Sequence, residues 1–185
     1  MRIGSCIRTY TGIEFWPLDP RADEISTRDI AHALSLTCRA NGHAAHFFSV
    51  AQHSIYCARE AKNRGYSERV QLACLLHDAS EAYISDITRP VKRHLTDYMK
   101  IEDTLQKTIY ETYGLVSLTE AELDLVRLID DAMLKYEMAT LLNMNDFQGE
   151  EVQERYSLSF KMMDVIEEEF VRLAEELQTA LLIKA

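Results

Sequence analysis

Glycine and proline are scarce in this sequence, with six glycines and three prolines among 185 residues. An all-β sandwich or barrel needs many tight turns, for which these two residues are typical, so that fold class is disfavoured. Hydrophobic residues make up 47% of the chain and charged residues 27%, which is typical of a globular protein and not of a disordered one. The length fits one domain with a single core.

Positive charge and long apolar runs are also lacking. Lysine and arginine total 20 against 30 aspartates and glutamates, a net charge of −10, which argues against a protein that binds polymeric nucleic acid through its phosphates. No run approaches the ~18 apolar residues of a membrane span, and the first residues, MRIGSCIRTY, show no secretion signal. We therefore expect neither nucleic acid nor a membrane as partner, although a local basic cluster could still hold a small phosphorylated molecule.

Cysteine pairs of the C-x-x-C type are absent, which argues against a zinc ribbon or a redox motif. The cysteines are interpreted as free, mostly buried thiols, and reduced thiols predict a cytoplasmic protein. They are Cys6, Cys38, Cys57 and Cys74.

The N-terminal segment, residues 1–20, has the one β pattern of the sequence. Two short runs, Ile7–Tyr10 and Ile13–Trp16, flank Thr11-Gly12 and predict a hairpin with a two-residue loop. An isolated hairpin is marginally stable in water, so this one should lie against the rest of the protein.

The remaining pattern is helical and predicts a mainly α fold in one domain over residues 1–185. Its parts are a helical core over residues 26–143 and a C-terminal packing helix over residues 159–182. Capping patterns predict helix starts at Ser26, Ser49, Ser67 and Thr119.

Charged residues interrupt two of the apolar helical stripes. His77-Asp78 ends an apolar run, and Asp130 follows another, where a charge is costly to bury unless it is paired or bound to a metal. The helical phase turns Asp130 toward the core and Asp131 about 100° away. With His53, these residues form a mixed set of nitrogen and oxygen donors that suits Mn²⁺, Fe²⁺, Co²⁺, Ni²⁺ or Zn²⁺, with Mg²⁺ also possible. On spacing alone, a hydrogen-bonded His-Asp pair is the more common arrangement.

The order His53 … His77-Asp78 … Asp130 resembles the H…HD…D motif of the HD superfamily of metal-dependent phosphohydrolases. The flanking residues extend the likeness over about residues 7–142. Residues 48–54 are similar to Y-S-V-A-E-H-S, with glutamine in place of the common glutamate. Residues 75–92 resemble the L-L-H-D-x-x-E-x-x-x-x-D-x-x-x-P-x-K stretch of the nucleotidase branch, which includes small bacterial and phage 5′-deoxynucleotidases, deoxyadenosine-triphosphate hydrolases and the oxetanocin-pathway phosphohydrolase.

This resemblance implies an HD-domain helical bundle with one divalent metal ion. The implied ligands are His53, His77, Asp78 and Asp130. Glu81 would position or deprotonate the attacking water, assisted by Asp86. The implied substrate is a nucleotide, and a homodimer is possible because members of the superfamily often dimerise.

The family also uses an arginine and a lysine for substrate phosphates, at places that correspond to Arg39 and Lys92. Arg89 is a weaker candidate, and His43 and His46 precede the first ligand helix, where either could contact substrate or a water. Surface solubilisation is the alternative for the basic residues. Four aromatic side chains could stack on a base, although a place in the core is more usual. They are Trp16, Phe47, Phe48 and Tyr83.

Three functions compete at this point. The first is hydrolysis of a phosphate bond in a (deoxy)nucleoside mono-, di- or triphosphate. The second is a non-catalytic nucleotide-sensing HD module, which the complete ligand set and Glu81 disfavour. The third is a structural partner protein that uses the acidic stretch Glu167–Glu169, although such a run is usually a solvated helix face.

Overall fold

The computed structural model describes residues 2–116 and 118–184, and this part of the chain is mainly helical. Strands β1 (Ile7–Arg8) and β2 (Glu14–Phe15) form an antiparallel hairpin. The helices are α1 Thr27–Leu36, α2 Val50–Asn63, α3 Glu68–Leu76, α4 Glu81–Ile84, α5 Arg89–Lys92, α6 Thr96–Thr112, α7 Glu120–Leu142 and α8 Met163–Lys184. The predicted mainly α fold with a small N-terminal hairpin is confirmed.

The hairpin loop has three residues and not the two that the sequence predicted. The Thr9 amide donates to the Ile13 carbonyl at 2.9 Å, which leaves Tyr10–Gly12 as the loop. Gly12 has φ of 90°, a left-handed conformation that glycine adopts without a Cβ clash. A left-handed residue at the end of the loop is typical of three-residue hairpins, and Gly12 therefore lengthens the loop by one position.

Asp29 attaches this hairpin to α1. The sequence predicted a capping box at Ser26, and the Ser26 hydroxyl does accept a hydrogen bond from the Asp29 amide at 3.4 Å. The Asp29 carboxylate, however, accepts from the Thr11 amide at 2.7 Å and from the Thr11 hydroxyl at 2.8 Å. The hairpin thus lies on the helical body, as a marginal element must.

Helices α2 and α3 form the centre of the bundle. Eleven of the residues in α2 are buried, and this helix packs against α1, α3, α7 and α8. One continuous apolar cluster includes Phe15 of the hairpin, Ile55 of α2, Leu75 of α3 and Phe170 of α8. Helix α8 begins at Met163, four residues after the predicted start, because the chain is irregular between α7 and α8.

A buried glutamate fixes that irregular connection. Glu60 of α2 is fully buried and accepts hydrogen bonds from Arg64 Nε at 2.7 Å, from the Gln153 amide at 2.9 Å and from the Tyr156 hydroxyl at 2.9 Å. A buried carboxylate is costly unless such partners satisfy it, so this network holds residues 153–156 against the core. Among the described residues, no helix is both long and apolar enough to cross a membrane.

Candidate metal centre and adjoining cavity

Three helices bring the two predicted histidines and two predicted aspartates to one point. His53 lies in the first turn of α2 and is fully buried, and His77 and Asp78 directly follow the last residue of α3. Asp130 lies in the middle of α7, which packs against both α2 and α3. The packing of these helices therefore places residues far apart in sequence within contact distance.

The donor atoms lie at the separations expected for ligands of one ion. His53 Nε2 is 3.3 Å from His77 Nε2, 3.3 Å from Asp130 Oδ1 and 3.9 Å from Asp78 Oδ2. His77 Nε2 is 3.3 Å from Asp78 Oδ2 and 3.7 Å from Asp130 Oδ1. Bonds of about 2.0–2.2 Å to a shared ion separate neighbouring ligands by roughly 3–3.6 Å. The set therefore fits a single divalent cation.

Both imidazoles are oriented with Nε2 toward this point. His77 Nδ1 lies 2.8 Å from the Cys74 carbonyl, which can only accept, so Nδ1 carries a proton and the neutral ring has its lone pair on Nε2. His53 Nδ1 lies 2.6 Å from Oε1 of the buried Glu137, whose carboxylate accepts that proton's hydrogen bond. A carboxylate behind a ligating histidine is a common feature of metal sites.

Glu137 was absent from the predicted site residues. It lies seven residues after Asp130 on α7, two turns along the same face, so the helical stripe that identified Asp130 also contained it. Glutamates are usually surface residues, and the contacts of this one with His53 and Arg39 appear in the folded structure and not in the sequence.

A thiol also approaches the imidazoles. Ligand atoms of His53, Cys57 and His77 lie within 4.8 Å of one another, and Cys57 Sγ is 3.4 Å from His53 Nε2. Burial raises the pKa of the Cys57 thiol well above its ordinary value, and the neighbouring Asp130 adds to this effect. Asp130 Oδ1 lies 3.3 Å from His53 Nε2 and Asp78 Oδ2 lies 3.3 Å from His77 Nε2, so the two aspartates complete a set of four ligands without Cys57.

The charges of the two imidazoles and the two carboxylates compensate one another. Burial alone would raise the pKa of Asp130, but hydrogen bonds from His53 and His77 hold it well below its ordinary value. Burial alone would lower the pKa of His77, but Asp78 and Asp130 together raise it well above its ordinary value. A divalent cation would take the place of the imidazole protons in this arrangement, since metal binding releases protons from its ligands.

A cavity of about 330 Å³ adjoins the four donors, and Asp78 and Asp130 belong to its wall. The other polar and charged lining residues are Arg39, Glu81, Asp86, Thr88, Arg89 and Lys92. The apolar ones are Ala40, Ile87, Pro90, Leu134, Met138, Met144 and Phe147. The cavity therefore combines two of the four possible metal ligands with further acids, cations and an apolar surface.

Glu81 presents an unused acceptor in this cavity. It begins α4, its side chain is buried, and its Oε2 has no hydrogen-bond partner among the described residues. Burial raises the pKa of Glu81 well above its ordinary value, and the charges of Asp78 and Asp86 add to this. Burial likewise raises the pKa of Asp86. Both predicted catalytic acids thus line the cavity beside the donor set.

The two predicted phosphate-binding cations reach the cavity, and acids hold both of them. Arg39 places Nη1 3.3 Å from Asp78 Oδ2 and Nη2 3.3 Å from Glu137 Oε2. Burial alone would lower the pKa of Arg39, but Glu137 and Asp78 outweigh it and raise the pKa. Lys92 Nζ lies 2.5 Å from Glu102 Oε1.

Arg89 also connects the cavity to the donor set. It donates to Asp130 Oδ2 at 2.6 Å and to Asp131 Oδ1 at 2.8 Å. The side chain of Asp131 is 49% exposed, against 21% for Asp130, which agrees with the predicted helical phase. Arg89 is therefore a neighbour of Asp130, and among the described side-chain contacts Asp131 reaches the site through Arg89.

The structure places the two loop histidines elsewhere. His43 is exposed, and His46 Nε2 lies 2.7 Å from the Leu158 carbonyl, where it holds the segment before α8. Neither is among the described residues that line the cavity. The predicted substrate contacts of His43 and His46 therefore have no support in the geometry.

The predicted base-stacking aromatic residues also lie outside this lining. Phe48 and Tyr83 are buried in the core, Phe47 packs edge-on against Phe160 at 6.4 Å, and Trp16 lies under the Arg2 guanidinium at 4.3 Å. The aromatic residue among those that line the cavity is Phe147, which lies between the predicted core and the predicted C-terminal helix.

Comparison with known proteins identifies the family. The family described as "HD domain" matches residues 31–181, so this chain belongs to it, and the resemblance drawn from the H…HD…D order is confirmed. HD domains bind divalent metal ions, and the cluster of two histidines and two aspartates could hold one.

Named relatives share part of the chain. Uncharacterized protein YfdR of Escherichia coli is 40% identical over 111 residues, and RCAP_rcc00048 of Rhodobacter capsulatus is 34% identical over 119. These alignments cover 60% and 62% of this chain and 60% and 61% of the relatives. A 5′-deoxynucleotidase, plu3092 of Photorhabdus laumondii, is 31% identical over 113 residues, covering 53% of this chain and 55% of that protein.

Proposed function

We propose that this protein is a metal-dependent phosphohydrolase that cleaves a phosphate bond of a nucleotide. The observation that carries the proposal is the convergence of two histidines and two aspartates, His53, His77, Asp78 and Asp130. The two aspartates line a cavity that Glu81 also lines. A single site thus offers a place for a divalent cation, a free carboxylate oxygen and room for a small substrate.

A divalent cation would have a specific task beside the acids that line the cavity. The cations of the lining are Arg39, Arg89 and Lys92, and the acids are Asp78, Glu81, Asp86 and Asp130. A phosphate in this cavity would therefore approach carboxylates as well as positive groups. A divalent cation on the four proposed ligands would neutralise Asp78 and Asp130, polarise a phosphoryl oxygen and lower the pKa of a water bound to it.

The protein's own residues then have distinct tasks. The free Oε2 of Glu81 can accept a hydrogen bond from the attacking water and take up its proton, with Asp86 beside it. Lys92 offers a point charge and Arg39 a planar fork of donors to the phosphate oxygens. Glu102 and Glu137 keep these two cations in place before substrate arrives.

Two observations favour a mononucleotide as the first substrate to test. Two relatives carry the name 5′-deoxynucleotidase. The cavity, at about 330 Å³, is at the lower end of the roughly 300–1,000 Å³ range of small-molecule sites. We therefore propose a 5′-deoxynucleoside monophosphate ahead of the di- and triphosphates.

The direct test is phosphate release from a panel of deoxynucleoside mono-, di- and triphosphates with Mn²⁺, Co²⁺ or Mg²⁺. We expect release that requires metal and stops after chelation, and identification of the products shows which bond is cleaved. Calorimetry on the same panel should show nucleotide binding only with metal present. Nucleotide binding without phosphate release under every metal would contradict the enzymatic function and favour a nucleotide-sensing module.

The catalytic assignment of Glu81 has its own test. Glu81→Gln should lower kcat by about 10²–10⁴-fold and leave KM little changed, because a general base acts in the transition state. The matched control is Glu111→Gln, an exposed glutamate of α6, which should behave as wild type. Metal content should be measured in both, since loss of metal from Glu81→Gln would make Glu81 a ligand and contradict its assignment as a base.

A further inference from the structure

We propose that Leu134, Met138, Met144 and Phe147 form the surface that binds the nucleotide base. We call these four residues the apolar wall. The inference rests on the proposed function, and it identifies which part of the chain holds the non-phosphate end of the substrate. All four residues line the cavity that Asp78 and Asp130 also line.

Helix α7 carries half of this wall and also carries a metal-site residue. Asp130, Leu134 and Met138 are spaced four residues apart, so they share one face of the helix. Each step of four residues rises about 6 Å. The lining thus changes along this face from a carboxylate at the metal centre to apolar side chains one and two turns further on.

The segment after α7 supplies the other half because it folds back along the helix. Asn143 ends α7 in the left-handed conformation, with φ of 56°, and the Met144 amide donates to the Met138 carbonyl at 3.0 Å. At the far end of the segment, Lys135 Nζ donates to the Gly149 carbonyl at 3.0 Å. Residues 143–149 therefore run back from the end of α7 toward its middle.

Gly149 shows how closely this return path follows the helix. A Cβ added at Gly149 would lie 3.0 Å from the Asp131 carbonyl oxygen, closer than a side chain can normally approach. Glycine permits the contact, and with it the path that places Phe147 at the cavity. Both ends of the segment are thus held on α7, which makes the apolar wall part of the folded structure.

The chemistry of the apolar wall suits a flat aromatic ring. Met144 is 39% exposed and Phe147 is partly exposed, although burial would be the usual state of such side chains. Thioethers and a phenyl ring contact a base through its face, which every base offers. The four side chains carry no hydrogen-bonding group that could distinguish one base from another, so we expect purines to bind more tightly than pyrimidines through their larger area.

Two probes that differ only in the base test this inference. Calorimetry with Mn²⁺-loaded protein should compare 2′-deoxyadenosine 5′-monophosphate with 2-deoxyribose 5-phosphate, using Glu81→Gln protein throughout to prevent turnover. Adding Phe147→Ala should weaken binding of the nucleotide about 5- to 100-fold, the range for loss of one aromatic contact with a base. Binding of the sugar phosphate should stay within about twofold.

Phe47→Ala is the matched control, because Phe47 is also a partly buried phenylalanine but packs on Phe160 outside the cavity. It should leave binding of both probes unchanged. Met144→Ala is the second test variant, since its exposed side chain can be truncated without disturbing the core, and it should show a smaller loss with the same selectivity for the nucleotide.

The possible failures are distinguishable. If the test variants lose affinity equally for both probes, or if neither variant loses affinity for either probe, the base-binding role is overturned. Phosphate release by the wild-type protein would still support the proposed function in that case. If the wild-type protein neither binds nor hydrolyses the two probes, whichever of the three metals is added, the proposed function and the base-binding role are overturned together.

Discussion

Replacement of Glu137 tests how the protein prepares its metal centre. The Glu137 carboxylate accepts from His53 Nδ1 at 2.6 Å through one oxygen and contacts Arg39 at 3.3 Å through the other, and its side chain is 1% exposed. It therefore fixes the tautomer that leaves His53 Nε2 free, and it supplies negative charge to Arg39. Glu137→Gln keeps an acceptor oxygen but removes the charge, whereas Glu137→Met removes both.

The expected magnitudes follow from this difference. Loss of a carboxylate behind a ligating histidine typically weakens metal binding by about 10–100-fold. We expect Glu137→Gln near the lower limit and Glu137→Met near the upper one. Removal of one partner from a buried ion pair also costs about 3–5 kcal/mol in the free energy of unfolding, because Arg39 loses one of the two carboxylates with which it pairs among the described residues.

The assay is metal affinity from competition with a chelator, together with urea unfolding of the metal-free proteins. Asp124→Asn is the control, since Asp124 lies on the same helix with a 66% exposed side chain and pairs only with Arg127 among the contacts described. It should change neither quantity. Wild-type metal affinity in Glu137→Met would refute the idea that Glu137 prepares His53, and equal loss in both variants would show that charge alone matters.

Three further outcomes follow from single contacts. Asp131→Asn should weaken metal binding no more than about fivefold, because Asp131 is half exposed and reaches the site only through Arg89; loss of binding would show that Asp131 is a ligand. Glu60→Gln should lower the free energy of unfolding by about 3–5 kcal/mol in urea denaturation and leave KM unchanged, and a stable variant would contradict the anchoring role. His46→Ala should cost about 1 kcal/mol in the same assay through its lost contact with the Leu158 carbonyl, and a raised KM instead would restore the substrate role of His46.

The sequence was informative wherever polar or charged residues interrupted an apolar helical pattern. His77-Asp78 and Asp130 stood out because they end or break apolar stripes, and the order of these residues matched a family motif. The helix starts at Ser49 and Thr119 followed from capping residues whose hydroxyls do accept the expected amide hydrogen bonds. These features depend on local sequence, so they could be identified before the packing was known.

The parts that sequence reasoning missed depend on packing between distant segments. Glu137 is an ordinary helical glutamate until α7 packs against α2 and brings it to His53. Residues 143–149 contain turn-forming residues and predict only a helix end. Their return along α7 depends on a close approach of Gly149 to the Asp131 carbonyl, which no pattern of residues along the chain specifies. Phe147 thereby lines the cavity, whereas the aromatic residues that the sequence suggested for base stacking do not.

Arg39 belongs both to the surroundings of the candidate metal centre and to the residues proposed to bind the substrate phosphate. Its guanidinium joins Asp78, which follows α3, to Glu137 on α7, and Glu137 in turn holds His53 on α2. Arg39 thus pairs with Asp78, a proposed metal ligand, and with Glu137, which contacts the proposed ligand His53. A shift of Asp78 or His53 on metal binding would therefore also change the contacts of Arg39. A cation that draws Asp78 toward itself would weaken the Arg39–Asp78 contact and leave more N–H groups of Arg39 free for a phosphate. The same contacts that keep Arg39 occupied in the metal-free protein would then make phosphate binding depend on the metal.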